Sequence, residues 1–153
     1  GQEAQHGQSR AAHRDWLCAC TCETWTGFET RFRGLWTEHG LKGSAYPADL
    51  LGPTAPQGPA AMAACQDAFM AQLWTDCVAF MGAFIIRRLV GIAHVADIEE
   101  ISDVHVRAGC ERRALRFGRA LLVDGSAGFG QLPAHFRSID ALVAAAAVAA
   151  AAV

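Results

Sequence analysis

Two arginines side by side inside an apolar run are the residues of this chain best suited to bind something. Between Cys77 and Ile86 there is no charge; Arg87 and Arg88 follow, and Leu89-Val90-Gly91-Ile92-Ala93 is apolar again. Two guanidiniums in such surroundings are costly unless something anionic meets them. Arginine stays charged and presents a rigid fork of donors, which suits carboxylates, phosphates and polarised hydroxyls. On a helix, neighbours diverge by about 100°. One guanidinium can therefore face a pocket while the other faces solvent or an internal carboxylate. The competing reading pairs both arginines with Asp97, Glu99 or Glu100 and leaves them structural.

Other chemistry-bearing residues read as structure. Cys18, Cys20 and Cys22 sit in a helical stretch where Cys20 points away from the other two. Zinc sites favour CxxC-type spacing on loops that let thiolates converge, so these are small helix residues. His94, alone beside apolar neighbours, is a hydrogen-bonded structural group. Asp97-Ile98-Glu99 copies an Asp-x-Glu metal pair only superficially; with Glu100 it forms an acidic turn. Arg112, Arg116 and Arg119 make a basic helical face, but Glu111 and a net charge of −2 argue for a solvated face and not for nucleic acid. The glycine-rich DGSAGFG from Asp124 to Gly130 follows no strand and precedes no lysine, which excludes a phosphate loop.

The elements that position these groups are helices. Residues 1–9 are polar and expected to be loose, with Ser9 placed to cap a helix. Trp25, Phe28, Phe32, Leu35 and Trp36 fall on one helical face, giving a long helix from about Arg10 to His39. A connector over residues 41–59 holds four prolines and three glycines, so regular structure is not expected there. Tyr46, Leu50 and Leu51 are expected to pin it. Ala60 to about Met81 reads as the next helix, with Met62, Phe69, Leu73 and Phe80 in the core. Gly82 is read as the break before a shorter helix carrying Phe84 to Ile92. Ser102 or Asp103 caps a helix to about Val123, with Val106, Cys110, Ala114, Phe117 and Leu121 as its stripe. The apolar end from Ala141 is helical by propensity and too short to span a bilayer, which needs about 20 residues.

The string IIRRLVGIAHVADIEEI, followed by CERRALRFGRALL, resembles the C-terminal end of the 5-methylthioribose kinases. FMAQLWTDCVAFMGAFIIRR resembles the helix leading into the arginine pair, and HFRSIDALVAAA the closing Ser-Ile-Asp helix. ETRFRGLWTEHG and AYP fit the preceding segment more loosely. The likeness runs from about His13 to Ala146 and is specific between about Phe69 and Leu122. It implies a mainly α chain, a helical piece of the C-terminal lobe of a protein-kinase-like (aminoglycoside phosphotransferase-like) fold. Residues 10–146 would form that segment and 147–153 an alanine-rich tail that departs from the family pattern. It also implies ATP-dependent phosphorylation of the 1-hydroxyl of methylthioribose in methionine salvage, with ATP and magnesium as cofactors of the full-length enzyme. By the same likeness Arg87 and Arg88 line the methylthioribose pocket.

Phosphoryl transfer needs a phosphate-cradling loop, a catalytic aspartate and magnesium ligands. The 153 residues contain no His-Gly-Asp motif and no nucleotide-binding β-lobe. The expectation is therefore a fragment with no cofactor of its own, inactive alone, with apolar surface exposed where packing elements are missing. The alternative is a non-catalytic helical interaction module. Hydrophobic content of 52% and one tyrosine read as globular. Six cysteines in a chain of this length, with no evident signal peptide, suggest a cytoplasmic protein rather than a disulfide scaffold. Expected partners are a small-molecule substrate, with no nucleic acid, no membrane, and self-association or a homodimer.

Overall fold

The computed structural model describes residues 2–42, 46–92, 95–125 and 133–151. Among these the order is α1 (Gln2–His39), a 3-10 turn (Gly40–Lys42), α2 (Ala48–Leu51), α3 (Gly58–Val90), α4 (Ala96–Glu99), α5 (Val104–Gly125), a second 3-10 turn (Ala134–Phe136) and α6 (Ile139–Ala151). No strand occurs among the described residues, so the chain is mainly α as expected. It divides into two compact units, one ending at Ala68 and the other starting at Phe69, inside α3.

The first unit is built on α1. The helix starts at Gln2, not near Arg10. Glutamine, glutamate and alanine are good helix formers, and a single Gly7 costs only about 1 kcal/mol, so the helix runs on through residues expected to be loose. Ser9 lies inside the helix and not at its start. The aromatic face stacks as anticipated: Trp25, Phe28, Phe32 and Trp36 lie ring to ring at 5.6 to 5.8 Å. Trp36 then meets Tyr46 at 5.1 Å, so Tyr46 does pin the connector, whereas Leu50 is exposed. The connector is more regular than its prolines suggested. It holds the single helical turn α2 and then turns closed by Gly52 N–H to Ala48 O, Ala55 N–H to Gly52 O and Gly58 N–H to Ala55 O, at 2.9, 3.1 and 3.0 Å. Arg33 donates to Asp67 at 2.7 Å and to Glu29 at 2.9 Å. With the Asp67 side chain 72% exposed, that pair contributes less than about 1 kcal/mol.

The second unit has its core on the other side of α3 from the one expected. Met70, Trp74 and Val78 are buried, together with Leu121 of α5, Phe136, and Ile139 and Leu142 of α6. Phe80 and Phe84 are 75% and 54% exposed, and Phe69 is exposed too. The reason is that α3 has no single apolar face, its polar residues being scattered around it and Cys77 to Ile86 carrying no charge at all, so hydrophobicity does not fix its phase. Backbone proximity does. Gly82 is a contact point inside a continuous helix and not a break: a Cβ there would run into the Leu122 amide and the Gly118 carbonyl. Gly125 is held equally close, since a Cβ on it would lie 2.7 Å from Ala79 Cα. Small residues at both points let α3 and α5 approach almost backbone to backbone.

Local signals set the ends of these helices. Asp103 caps α5, its Oδ1 accepting from the amides of His105 and Val106 at 2.8 and 3.1 Å, which satisfies donors that have no partner within the helix. Ser138 Oγ accepts from Ala141 N–H at 3.2 Å at the start of α6. Trp74 Nε1 donates to the Phe136 carbonyl at 2.7 Å in the buried interior, tying α3 to the 3-10 turn. Phe117 meets Phe136 edge to face at 6.1 Å. By length and composition α3 could cross a bilayer; in this fold it supplies the buried line of the second unit.

Candidate functional site

Arg87 and Arg88 occupy the last turn of α3. Helix geometry turns them about 100° apart, and their surroundings differ accordingly. Arg87 is exposed, and among the described residues no ion pair or side-chain hydrogen bond engages it. Arg88 is half-buried, with its guanidinium carbon 5.6 Å from the centroid of the Phe84 ring. A cation over a partly exposed ring contributes on the order of 0.5–1 kcal/mol. Both positive charges also sit where the carbonyls of α3 end, a position the helix dipole favours by about 0.3–1 kcal/mol each. The helix stops one residue before Gly91, whose amide donates back to the Arg87 carbonyl at 2.9 Å.

The acidic turn is the single helical turn α4. Asp97, Glu99 and Glu100 are exposed on it, and Arg107 Nη1 reaches the Glu99 backbone carbonyl at 3.5 Å. His94 lies outside the described residues, as does most of the glycine-rich segment; its first two residues, Asp124 and Gly125, close α5. Cys18, Cys20 and Cys22 lie along α1, none of them in a disulfide. Among the described residues no group of three His, Cys, Asp or Glu side chains is arranged to hold a metal ion.

Cys77 differs from an ordinary thiol. Burial pushes its pKa up, and the charge of Asp76 adds to the shift. A raised pKa leaves less thiolate at neutral pH, and the thiolate is the reactive form. Cys77 is therefore expected to alkylate with iodoacetamide more slowly than glutathione at pH 7.5 and to catch up as the pH rises. Peptide mapping of the alkylated chain reads this out; labelling at the glutathione rate would contradict it.

A groove that the sequence did not announce lies between α5 and α6. Its volume is about 730 Å3, and its walls come from Phe117 and Ala120 of α5 and from Ala141, Ala145, Val148 and Ala149 of α6. Arg113, Arg116 and His135 stand along it. Arg116 belongs to the basic face read as solvated. Arg112, Arg116 and Arg119 are all exposed as that reading has it, whereas Arg113 is half-buried. The i, i+3 spacing of Arg113 and Arg116 beside Phe117 was the available signal; its meaning depends on where α6 lies.

No protein-family model matches the chain, and no solved structure matches it. Curated proteins do. A methylthioribose kinase of Escherichia coli O45:K1 is 33% identical over 136 residues, which is 89% of this chain and 29% of that protein. Methylthioribose kinase 1 of Oryza sativa subsp. japonica is 36% identical over 141 residues, 90% of this chain and 31% of that protein. A methylthioribose kinase of Yersinia enterocolitica is 41% identical over 76 residues, half of this chain. The helical chain, with its arginine pair in the last turn of α3, is by these matches related to small-molecule kinases. Over these residues it matches part of the methylthioribose kinase family. It spans less than a third of the length of the first two relatives.

Proposed function

We propose that this chain supplies the sugar-side wall of a methylthioribose kinase active site, with Arg87 and Arg88 as the substrate-binding residues. The observation that carries the reading is the alignment with methylthioribose kinases through a helix that ends in an exposed Arg87. Its free fork of donors can hold a sugar hydroxyl, or the charge that develops as that hydroxyl is phosphorylated. Arg88, held over Phe84, would line the same wall. ATP and magnesium belong to the two-lobed, protein-kinase-like enzyme as a whole, and the setting would be cytoplasmic methionine salvage.

The test uses a chimera in which residues 69–122 replace the aligned segment of the Escherichia coli relative. The chimera should phosphorylate methylthioribose with ATP and magnesium. Arg87→Ala in it should lower kcat/KM about tenfold to a hundredfold, the loss of one charged hydrogen bond of roughly 1.5–3 kcal/mol, with Tm unchanged. The 153-residue chain alone should release no ADP above background. A folded but inactive chimera, or a lowered Tm with unchanged kinetics, would remove the assignment.

A second reading, a non-catalytic helical interaction module, is favoured by the exposure of Phe80 and Phe84 on α3. It requires the chimera to be inactive while Phe80→Ser and Phe84→Ser abolish self-association or partner capture.

A further inference from the structure

The α5–α6 groove has a chemistry that neither Arg87 nor Arg88 shares. Its walls are apolar, and no aspartate or glutamate lines it or the smaller hollow that continues past Cys110, Ala146 and Ala150. Arg113 donates from Nη2 to Cys110 Sγ at 3.2 Å, and sulfur is a weak acceptor. Among the described residues neither Arg113 nor Arg116 has a carboxylate partner. Two guanidiniums beside an apolar trough without an acid give that trough a positive edge, which an anion would complement. The shape narrows the choice. The trough follows α6 from Ala141 to Ala150, roughly 14 Å at the helical rise of about 1.5 Å per residue. Alanine side chains leave open the space that longer ones would fill. An extended hydrocarbon with one anionic end fits both the length and the charge.

We propose that this groove binds a single-chain amphiphilic anion, an acyl carboxylate of medium length. The carboxylate is held by Arg113 and Arg116, and the chain lies on Phe117, Ala145, Val148 and Ala149. Each methylene seated should tighten binding by about twofold to fourfold.

Isothermal titration of the 153-residue chain with dodecanoate, below its micelle concentration, tests this. One saturable site is expected, with octanoate bound more than tenfold more weakly and dodecyltrimethylammonium giving no saturable heat. The double variant Arg113→Gln, Arg116→Gln should lose at least tenfold in dodecanoate affinity. Ala145→Trp should block the groove with Tm retained. Arg87→Ala should leave dodecanoate binding unchanged, which separates this site from the sugar-side wall. Absence of saturable binding, equal binding of the cationic amphiphile, or full affinity in the arginine double variant would overturn the proposal.

Discussion

Trp74→Ala should remove about 3–5 kcal/mol of stability from the unit that begins at Phe69, the usual cost of deleting a buried large aromatic side chain. Trp74 is buried between Met70 and Val78 on the line that meets Leu121 and Phe136. Its indole also holds the Phe136 carbonyl. Truncation leaves a cavity and, beside it, a buried carbonyl without its donor, and such a group costs a further 1–3 kcal/mol, roughly. With typical domain stabilities near 5–15 kcal/mol, the variant should show little native signal at room temperature. Trp74→Phe separates the two contributions, since it keeps much of the ring and removes the donor. Urea unfolding followed by circular dichroism should place it about 1–3 kcal/mol below the parent. Indistinguishable unfolding curves for parent and Trp74→Ala would mean that this core is not the one that holds the unit.

Glycine to alanine should have opposite signs at two places in the chain. At Gly27, on α1, nothing lies within 4 Å of the position a Cβ would take, so Gly27→Ala should stabilise by about 0.5–1 kcal/mol through helix propensity. At Gly82 the new methyl meets the backbone of Gly118 and Leu122. Backbone atoms cannot swing aside as a side chain can, and overpacking of this kind costs about 3 kcal/mol. Helix propensity offsets roughly 1 kcal/mol of that. Midpoints of urea unfolding should therefore rise for Gly27→Ala and fall for Gly82→Ala. A rise for both would mean that α3 and α5 are not pressed together at Gly82.

What the residues disclosed by themselves depended on whether a signal was local. The Asp103 cap, the aromatic face of α1 and the helical alanine run of α6 are set within a few residues, and each was legible. The phase of α3 was not. Phe69 and Phe80 are larger and more apolar than Val78, so periodicity placed them inside; yet Val78 is fully buried and Phe80 largely exposed. Gly82 decides the matter by admitting α5, and a glycine inside an apolar helix reads equally as a stop. The same ambiguity put Val106 in the core stripe of α5, where it is exposed, while Leu121 of that stripe is buried. At the candidate site, the type and setting of Arg87 and Arg88 were evident from the run around them, but their different surroundings emerged only from the end of the helix and the place of Phe84. The groove beside Arg113 and Arg116 was hidden for a related reason, because the flank of α5 becomes the wall of a groove only when a second helix is laid beside it.

The stacked rings of α1 have an optical consequence. Trp25, Phe28, Phe32, Trp36 and Tyr46 form a continuous series with neighbouring centroids 5.1 to 5.8 Å apart, and Trp16 stands on the same helix. Chromophores at such spacing exchange excitation energy, so their emission behaves as a pooled signal of one unit. The fourth tryptophan, Trp74, is buried elsewhere, with its indole N–H bound to a carbonyl. Excited together, the four would report two environments at once, and fluorescence from the parent chain would superimpose two transitions if the units unfold separately. Trp74→Phe silences one of them, leaving a chain whose indole emission tracks α1 alone.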